Sequence, residues 1–189
     1  MKTLFKQSLA LTGMLMVLTA CIYPMLIAGA AKFASGSGGG VKVERDGKVI
    51  GYANIGQSFT EDRYFNGRPS AVNYNAAGSG GSNKSTTNLD YIKTVKDRID
   101  TFMVHNPTVV KQDIPTELVT ASGSGLDPNV SPKAAYVQIA RISAARGIPE
   151  ERIKTLVDQH IHKPLFTIFG TYTINVLELN VDLDALNNN

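Results

Sequence analysis

Residues 7–31 read QSLALTGMLMVLTACIYPMLIAGAA, an uninterrupted run without one charge between Lys6 and Lys32. About 20 predominantly apolar residues cross the hydrocarbon core of a bilayer as a helix. The run therefore predicts one transmembrane helix with length to spare for tilt. Tyr23-Pro24 is expected to bend it, which a membrane helix tolerates. Lys2, Lys6 and the amino terminus make the leading flank more positive than Lys32 behind it. The more positive flank stays in the cytoplasm, so the rest of the chain is expected to cross. The predicted organisation is a cytoplasmic N-terminus at 1–6, a transmembrane helix at 7–31, a linker at 32–40 and an extracytoplasmic domain at 41–189.

Two other fates of this segment are weighed against that one. A cleaved signal peptide has a short apolar core of about 7–15 residues and then a polar mature start. Here the apolar run continues through Ile22–Ala31, which argues against cleavage. Leu18-Thr19-Ala20-Cys21 resembles a bacterial lipoprotein box with Cys21 as the lipidated residue, so a lipid-anchored extracytoplasmic binding domain is the alternative reading. A lipoprotein turns polar right after that cysteine, whereas this chain stays apolar as far as Ala31. All three fates place the body outside the cytoplasm.

The body has the composition of a folded domain. Over 189 residues the chain is 43% hydrophobic and 19% charged, which excludes a disordered chain. A single cysteine, Cys21, excludes a disulfide scaffold and a cysteine-based zinc module. The net charge of +3 comes from the membrane segment. With Lys2, Lys6 and Lys32 set aside, 16 Lys+Arg face 16 Asp+Glu. A neutral body without a basic stripe argues against nucleic acid as a partner.

Along the body, Ser35–Gly40 (SGSGGG) has the composition of a flexible linker. Val41–Gly51 alternates around Asp46-Gly47, a hairpin signal. Ile55–Ser85 is a long Gly/Asn/Ser-rich loop, and loops of that length are usually functional. Leu89, Ile92, Val95, Ile99 and Phe102 recur at helical spacing. Ser85 or Asn88 is the candidate cap of that helix, and Asn106-Pro107 its end. Ile114–Val119 reads as a short strand, and Thr120–Ser131 as a second Gly/Ser/Pro loop. Ser131-Pro132 opens a helix that Gly147 stops. Pro149-Glu150-Glu151 opens another, with Ile153, Leu156, Val157 and Ile161 as its stripe and Pro164 as its end. Thr171–Val181 is β-branched and half-alternating, which predicts a strand. The fold class is α+β: a single N-terminal transmembrane helix followed by one small mixed α/β extracytoplasmic domain.

Several constellations invite a chemical reading. Gly78–Ser85 (GSGGSNKS) follows the phosphate-binding pattern G-x-x-x-x-G-K-[ST] except that Asn83 replaces the second glycine. Such a loop needs a strand before it, and Tyr74–Ala77 is a weak one, so a polar loop is favoured. His160 and His162 are two apart, with Asp158 upstream. Neighbours two apart on a helix do not share a face, so a solvated helix end is favoured over a metal site, and His105 reads the same way. No catalytic triad is selected by spacing. Arg141, Arg146 and Arg152 fit a solvated helix face. Tyr64–Ser70 (YFNGRPS) places two aromatics and a cation in one loop, which fits either an interface anchor or a loop pinned to its own core through Phe65.

Seven segments in order along the chain carry a resemblance. They are Gly56–Thr60 (GQSFT), Tyr64–Ala71 (YFNGRPSA), Ser79–Asn83 (SGGSN), Glu117–Pro128 (ELVTASGSGLDP), Ser131–Ala135 (SPKAA) with Gln138 and Arg141, Ala145-Arg146-Gly147, and Asn175–Asn180 (NVLELN). Together they resemble the C-subunit family of the Kdp potassium-transporting ATPase, KdpC. The span from Ser70 to Ser82 is shorter than the family usually has. The resemblance implies an accessory subunit of a bacterial plasma-membrane (inner-membrane) complex that imports potassium, the transported ion. Its implied partners are a channel-like potassium-translocating subunit, a P-type ATPase subunit and a small helical subunit, besides the lipid bilayer. It implies no catalysis by this chain, in keeping with the absence of the P-type signature D-K-T-G-T. The family is described as a catalytic chaperone that raises the ATP affinity of the ATPase subunit, with nucleotide contact proposed near Gln138. An extracytoplasmic body puts Gln138 out of reach of cytoplasmic ATP, so ATP is expected to enter only through the ATPase partner. No metal site is expected. The interface residues expected are Phe65, Arg68, Ser70, Ser82, Asn83, Ser122 and Asp127.

Overall fold

The computed structural model describes residues 1–45, 47–164 and 166–186. The chain forms two compact units, Met1–Lys42 and Val43–Asn189.

The first unit is dominated by one exposed helix, α1, over Lys2–Ala31. Its 30 residues rise about 45 Å at 1.5 Å each, more than the roughly 30 Å of a hydrocarbon core. Among the described residues it is the one helix long and apolar enough to cross a membrane. It widens into a π turn at Leu18–Ile22, where the Tyr23 N–H reaches back to Leu18 O. The cause lies next door, because Pro24 has no N–H to offer and the ladder shifts around the missing donor. Thr19 Oγ1 donates to Leu15 O at 2.8 Å, so this hydroxyl is satisfied within the helix. After the helix, Gly36, Ser37, Gly38 and Gly40 take positive φ, and Ser35–Gly38 forms a single tight turn.

A two-stranded ribbon follows, β1 (Lys42–Arg45) and β2 (Lys48–Tyr52), which apart from Lys42 belongs to the second unit. Of the expected turn dipeptide, Asp46 lies outside the described residues, and Gly47 has φ +72°. No helix or strand is assigned from Ala53 to Asn88. Helix α2 (Leu89–His105) starts where the Asn88 side chain accepts from the Tyr91 N–H and stops at Asn106. Two short 3₁₀ turns follow, at Lys111–Asp113 and Thr116–Leu118. The second stands where the strand Ile114–Val119 was expected. Leu118 and Val119 are buried there by a turn rather than by a sheet.

Strand β3 (Asn129–Val130) pairs antiparallel with β4 (Ile174–Asn175), Asn129 facing Asn175 and Val130 facing Ile174. Ser131 caps the next helix by accepting from the Ala134 N–H. The expected single helix up to Gly147 is two, α3 (Pro132–Tyr136) and α4 (Ile139–Arg146). The step between them turns Gln138 into the core, where it is wholly buried. Gly147, at φ +68°, ends α4 in the left-handed conformation that a helix C-terminus favours in glycine. Helix α5 (Glu150–Gln159) buries Ile153, Leu156 and Val157 of its expected stripe, while Ile161, the fourth, lies beyond the helix end and packs half-buried against the core. The helix stops at His160, short of Pro164.

The largest departure is at the carboxyl end. Thr171–Val181 is not one strand. It is the two residues of β4 followed by helix α6 (Val176–Leu186). Asn175 Oδ1 accepts from the Leu177 and Glu178 N–H groups, both at 3.1 Å, which caps the helix. Val176, Leu179, Asn180 and Leu183 are buried and recur at helical spacing. The local β-branched character of TYTI loses to that longer period. The core gathers Phe65, Ile142, Ile153, Ile174, Leu179 and Leu183 from the long loop, α4, α5, β4 and α6. The body is thus a small α+β domain with little sheet and a core made chiefly by helices.

Candidate functional site

The two long Gly/Ser segments close on each other. Gly56 N–H donates to Leu126 O at 2.8 Å, Ser122 N–H to Pro69 O at 3.1 Å, and Gly80 N–H to Ser124 O at 2.8 Å. Side chains add to the seam. Ser70 Oγ donates to Gly125 O at 2.7 Å and accepts from the Val72 and Tyr74 N–H groups. Ser79 Oγ donates to Ser124 O at 3.0 Å. Arg68 pairs with Asp127 at 3.1 Å, both roughly a quarter exposed. The Arg68 Nε is buried without a hydrogen-bond partner among the described residues. Tyr74 O–H donates to Arg68 O at 2.5 Å, and burial raises the phenol above its ordinary pKa against a smaller lowering by Arg98.

Gly125 shows why the seam needs glycine. Its φ is +68°, and a Cβ there would stand 2.6 Å from Val72 Cγ2 and 2.8 Å from Gly80 O. Neither the backbone conformation nor the space admits a side chain.

The structure therefore brings Arg68, Ser70, Ser122 and Asp127 into one cluster. Ser82 and Asn83 lie exposed beside it, Asn83 at φ +52°. Ser122 is itself buried, so its place is within the seam rather than on its surface.

Phe65 departs from the expected set. It has no exposed surface and belongs to the core, so the alternative of a loop pinned by Phe65 is the one realised. Two neighbouring side chains hold the pin. Asn180 Oδ1 accepts from the Phe65 N–H at 2.8 Å, and Asn180 Nδ2 donates to Phe65 O at 2.9 Å. Gln138 does the same for Asn66, accepting from its N–H at 2.8 Å and donating to its O at 3.2 Å. Gln138 also donates to Ala134 O at 2.9 Å and accepts from Arg141 Nη2 at 2.8 Å. A glutamine amide has two donors and two acceptor sites, and all four are used.

Arg141 is not on a solvated face. Its side chain is 3% exposed. The guanidinium donates to Asp62 O at 2.6 Å, Tyr64 O at 3.0 Å, Asn66 Oδ1 at 2.9 Å and Asn106 Oδ1 at 3.1 Å. Burial lowers its pKa, and the Asp62 carboxylate nearby works in the other direction. The Arg146 side chain is buried as well. It meets Asp184 at 2.7 Å and lies 4.9 Å from the centre of the Tyr64 ring. Arg45 and the Tyr64 hydroxyl reach the same carboxylate at 2.7 and 3.2 Å. Burial alone would raise Asp184, but hydrogen bonds from Arg146, Arg45 and Tyr64 outweigh it and hold the carboxyl below its usual range.

The other constellations resolve into structural roles. Gly78–Ser85 has no strand before it and no helix until Leu89, and its Gly80 N–H is spent on Ser124 O, so it is not a phosphate cradle. His160 sits at the end of α5 between Leu156 O and Asp182, each at 2.9 Å. His105 pairs with Asp62 at 2.7 Å. Among the described residues no group of three or more His, Cys, Asp or Glu is placed to hold a metal ion.

The profile of one protein family, described as K+-transporting ATPase, c chain, matches residues 5–185. The chain belongs to the KdpC family. It is 53% identical over 186 residues to the potassium-transporting ATPase KdpC subunit of Flavobacterium psychrophilum, covering 98% of this chain and all of that protein. It is 50% identical to the subunit of the same name from Flavobacterium johnsoniae, again over 98% of this chain and all of the other. The Bacteroides thetaiotaomicron subunit is 50% identical over 97% and 98% of the two chains.

The KdpC resemblance visible in the sequence falls on this same architecture. GQSFT, SGGSN and ELVTASGSGLDP supply the seam, and YFNGRPSA runs from the pinned Phe65 into it. Gln138 and Arg141 grip the loop from below, and NVLELN supplies the Asn175 cap and the Asn180 clamp. Sequence reading missed Asn180 and Asp184. A polar residue at a helical repeat of Val176 and Leu183 was the available signal for Asn180. Asp184 had none, because its three partners come from residues 45, 64 and 146.

Proposed function

We propose that this chain is the accessory C subunit of a potassium-import ATPase complex. In this reading it is anchored by α1 in the bacterial inner membrane, with the amino terminus in the cytoplasm and the body outside. It catalyses nothing alone. It binds the channel-like and P-type ATPase subunits, with the small helical subunit beside them, and holds the assembly together. The observation that carries the reading is the seam between residues 56–83 and 120–128, which presents a preformed loop surface. A surface ordered before binding loses little entropy when a partner arrives. The full-length likeness to subunits named for a potassium-transporting ATPase supports the same assignment.

Any effect of the subunit on ATP affinity is proposed to be indirect, as a coupling between states of the complex. The amide of Gln138 is buried and fully bonded, which supports that route over direct nucleotide contact.

Ser82→Trp tests the surface, because it adds bulk at an exposed position of the loop cluster. The folded content and melting of the variant are expected to match the wild type. Co-isolation with the partner subunits and growth at low external potassium are expected to fall together. Normal assembly and growth in both Ser82→Trp and Asn83→Trp would remove this surface from the interface. Orientation is tested separately by Lys93→Cys on α2, in a Cys21→Ser background. Labelling of intact cells by a membrane-impermeant thiol reagent is expected. Labelling only after lysis would put the body in the cytoplasm.

A further inference from the structure

Between α5 and β4 the chain leaves the core and returns to it. The base of this excursion is closed by a bridge, His162 N–H donating to Thr173 O at 2.8 Å and Thr173 N–H to His162 O at 3.1 Å. Thr167 N–H donates to Pro164 O at 2.9 Å, and Phe166, Thr167 and Gly170 all take positive φ. The loop is thus closed at its base and tightly turned within. What it presents is apolar. Phe166 is 75% exposed, Ile168 77%, Phe169 68% and Tyr172 48%. A cluster of large apolar side chains at the tip of one loop marks a surface that something else covers.

Two features identify the cover. Lys163, at the base of the loop, is the one formal charge among residues 159–177, which contain no Asp or Glu; His160 and His162 beside it face Asp182 and Glu178. A lysine under an apolar tip, with no acid in the loop itself, complements anionic headgroups above acyl chains. The tyrosine suits the same boundary, where amphipathic rings collect. The chain also carries its own bilayer anchor. Residues 32–42, which follow α1, span at most about 40 Å even when fully extended. A domain tethered so closely meets the membrane surface without the entropic loss of a free encounter.

We infer that the Phe166–Tyr172 loop is a second membrane contact, inserting its apolar tip into the interfacial layer of the bilayer with Lys163 among the headgroups. Its irregular backbone sets the depth. Unpaired N–H and C=O groups are not tolerated in lipid-exposed hydrocarbon, so the tip stops about 5–10 Å in, at the headgroup–acyl boundary. The contact is independent of the loop surface assigned to partner subunits.

The chain has no tryptophan, so Phe169→Trp installs a single reporter. The full chain, alone and in its assembled complex, is reconstituted into vesicles of phosphatidylethanolamine and phosphatidylglycerol, the reporter in the complex being read as the difference from the complex with the wild-type chain. Lipids brominated high on the acyl chain are expected to quench the indole about twofold or more, and aqueous iodide to quench it weakly. Val104→Trp, at an exposed position on α2, is the control and is expected to show the reverse pattern. Lys163→Glu is expected to reduce the bromolipid quenching. Phe166→Trp repeats the measurement should the first variant misfold. Iodide quenching equal to the control without bromolipid quenching, in both preparations, overturns the inference. Protection from both quenchers only in the complex assigns the loop to a protein partner and also overturns it. Protection that grows with protein concentration, without bromolipid quenching, assigns it to a second copy, with the same consequence.

Discussion

Asn180 brackets the backbone of Phe65, accepting from its N–H at 2.8 Å and donating to its carbonyl at 2.9 Å across 115 positions of sequence. Both residues are buried. One amide side chain thus does for a loop what a neighbouring strand does in a sheet. Asn180→Leu leaves that N–H and carbonyl in an apolar core without partners. Each unpaired group costs about 1–3 kcal/mol, so unfolding of the full chain is expected at clearly lower denaturant with an unchanged slope. Wild-type resistance to urea would show that the bracket is dispensable.

Gln138 separates a structural role from a nucleotide role. Gln138→Leu removes four hydrogen bonds and should lower the melting temperature, consistent with about 2–4 kcal/mol of lost stability. Complexes that still assemble are expected to keep the wild-type dependence of ATP hydrolysis on ATP concentration. A several-fold weaker ATP dependence at unchanged stability would reinstate direct contact.

Asp184 makes the domain sensitive to acid. Its folded-state pKa lies below the ordinary value because Arg146, Arg45 and Tyr64 together outweigh desolvation. A depressed carboxyl contributes stability that is complete above the unfolded pKa near about 3.9 and is lost as pH falls through the folded value. Urea midpoints followed from neutral pH into that acidic range should fall less steeply for Asp184→Asn than for the wild type. The variant is also expected to be less stable at neutral pH, since it leaves the buried Arg146 without its counter-charge. Parallel pH profiles for the two proteins would contradict this assignment.

Gly125→Ala tests the seam. The added methyl meets Val72 and Gly80 O at a positive φ, so the two loops are expected to part. Limited proteolysis should then cut near Gly80 or Gly123 faster than in the wild type, while the helical content holds. Unchanged cleavage would mean that the seam tolerates a side chain after all.

Arg68→Glu and Asp127→Arg each replace an opposite-charge pair with a like-charge one. The pair is partly solvated, so its effect on overall stability is expected within about 1 kcal/mol. Assembly with partner subunits is expected to suffer in each single variant and to recover in the double swap. Failure of the double swap to recover, with both singles impaired, would show that one of these residues touches the partner itself.

The long apolar amino-terminal helix, the cap at Asn88 as one of two candidates, the cap at Ser131, the stop at Gly147 and three of the four expected stripe residues of α5 were legible along the chain. Each depends on residues within a turn or two of one another, and local spacing reports local structure. Thr171–Val181 was misread because two local signals compete there. β-branched TYTI favours a strand, while Val176, Leu179 and Leu183 repeat at helical spacing, and burial against α5 and the core decides for the helix beyond Asn175. The division of the 132–146 helix at Gln138 was illegible for a different reason. Nothing near Gln138 demands a break. The demand comes from Asn66, 72 positions away.

The sequence by itself determined a helix long and apolar enough to cross a membrane, a neutral folded body, most helix ends and a resemblance to one family. Those follow from hydropathy, capping and motif order, which are properties of neighbours in the chain. Only the tertiary structure decided that Phe65 is core, that the Arg141 and Arg146 side chains are buried, and that two Gly/Ser loops close into one surface. Each of those outcomes depends on a buried polar group finding its partner. The partners lie 55 residues apart for Ser70 and Gly125, 77 for Arg141 and the Tyr64 carbonyl, and 115 for Phe65 and Asn180, distances over which local pattern carries no information.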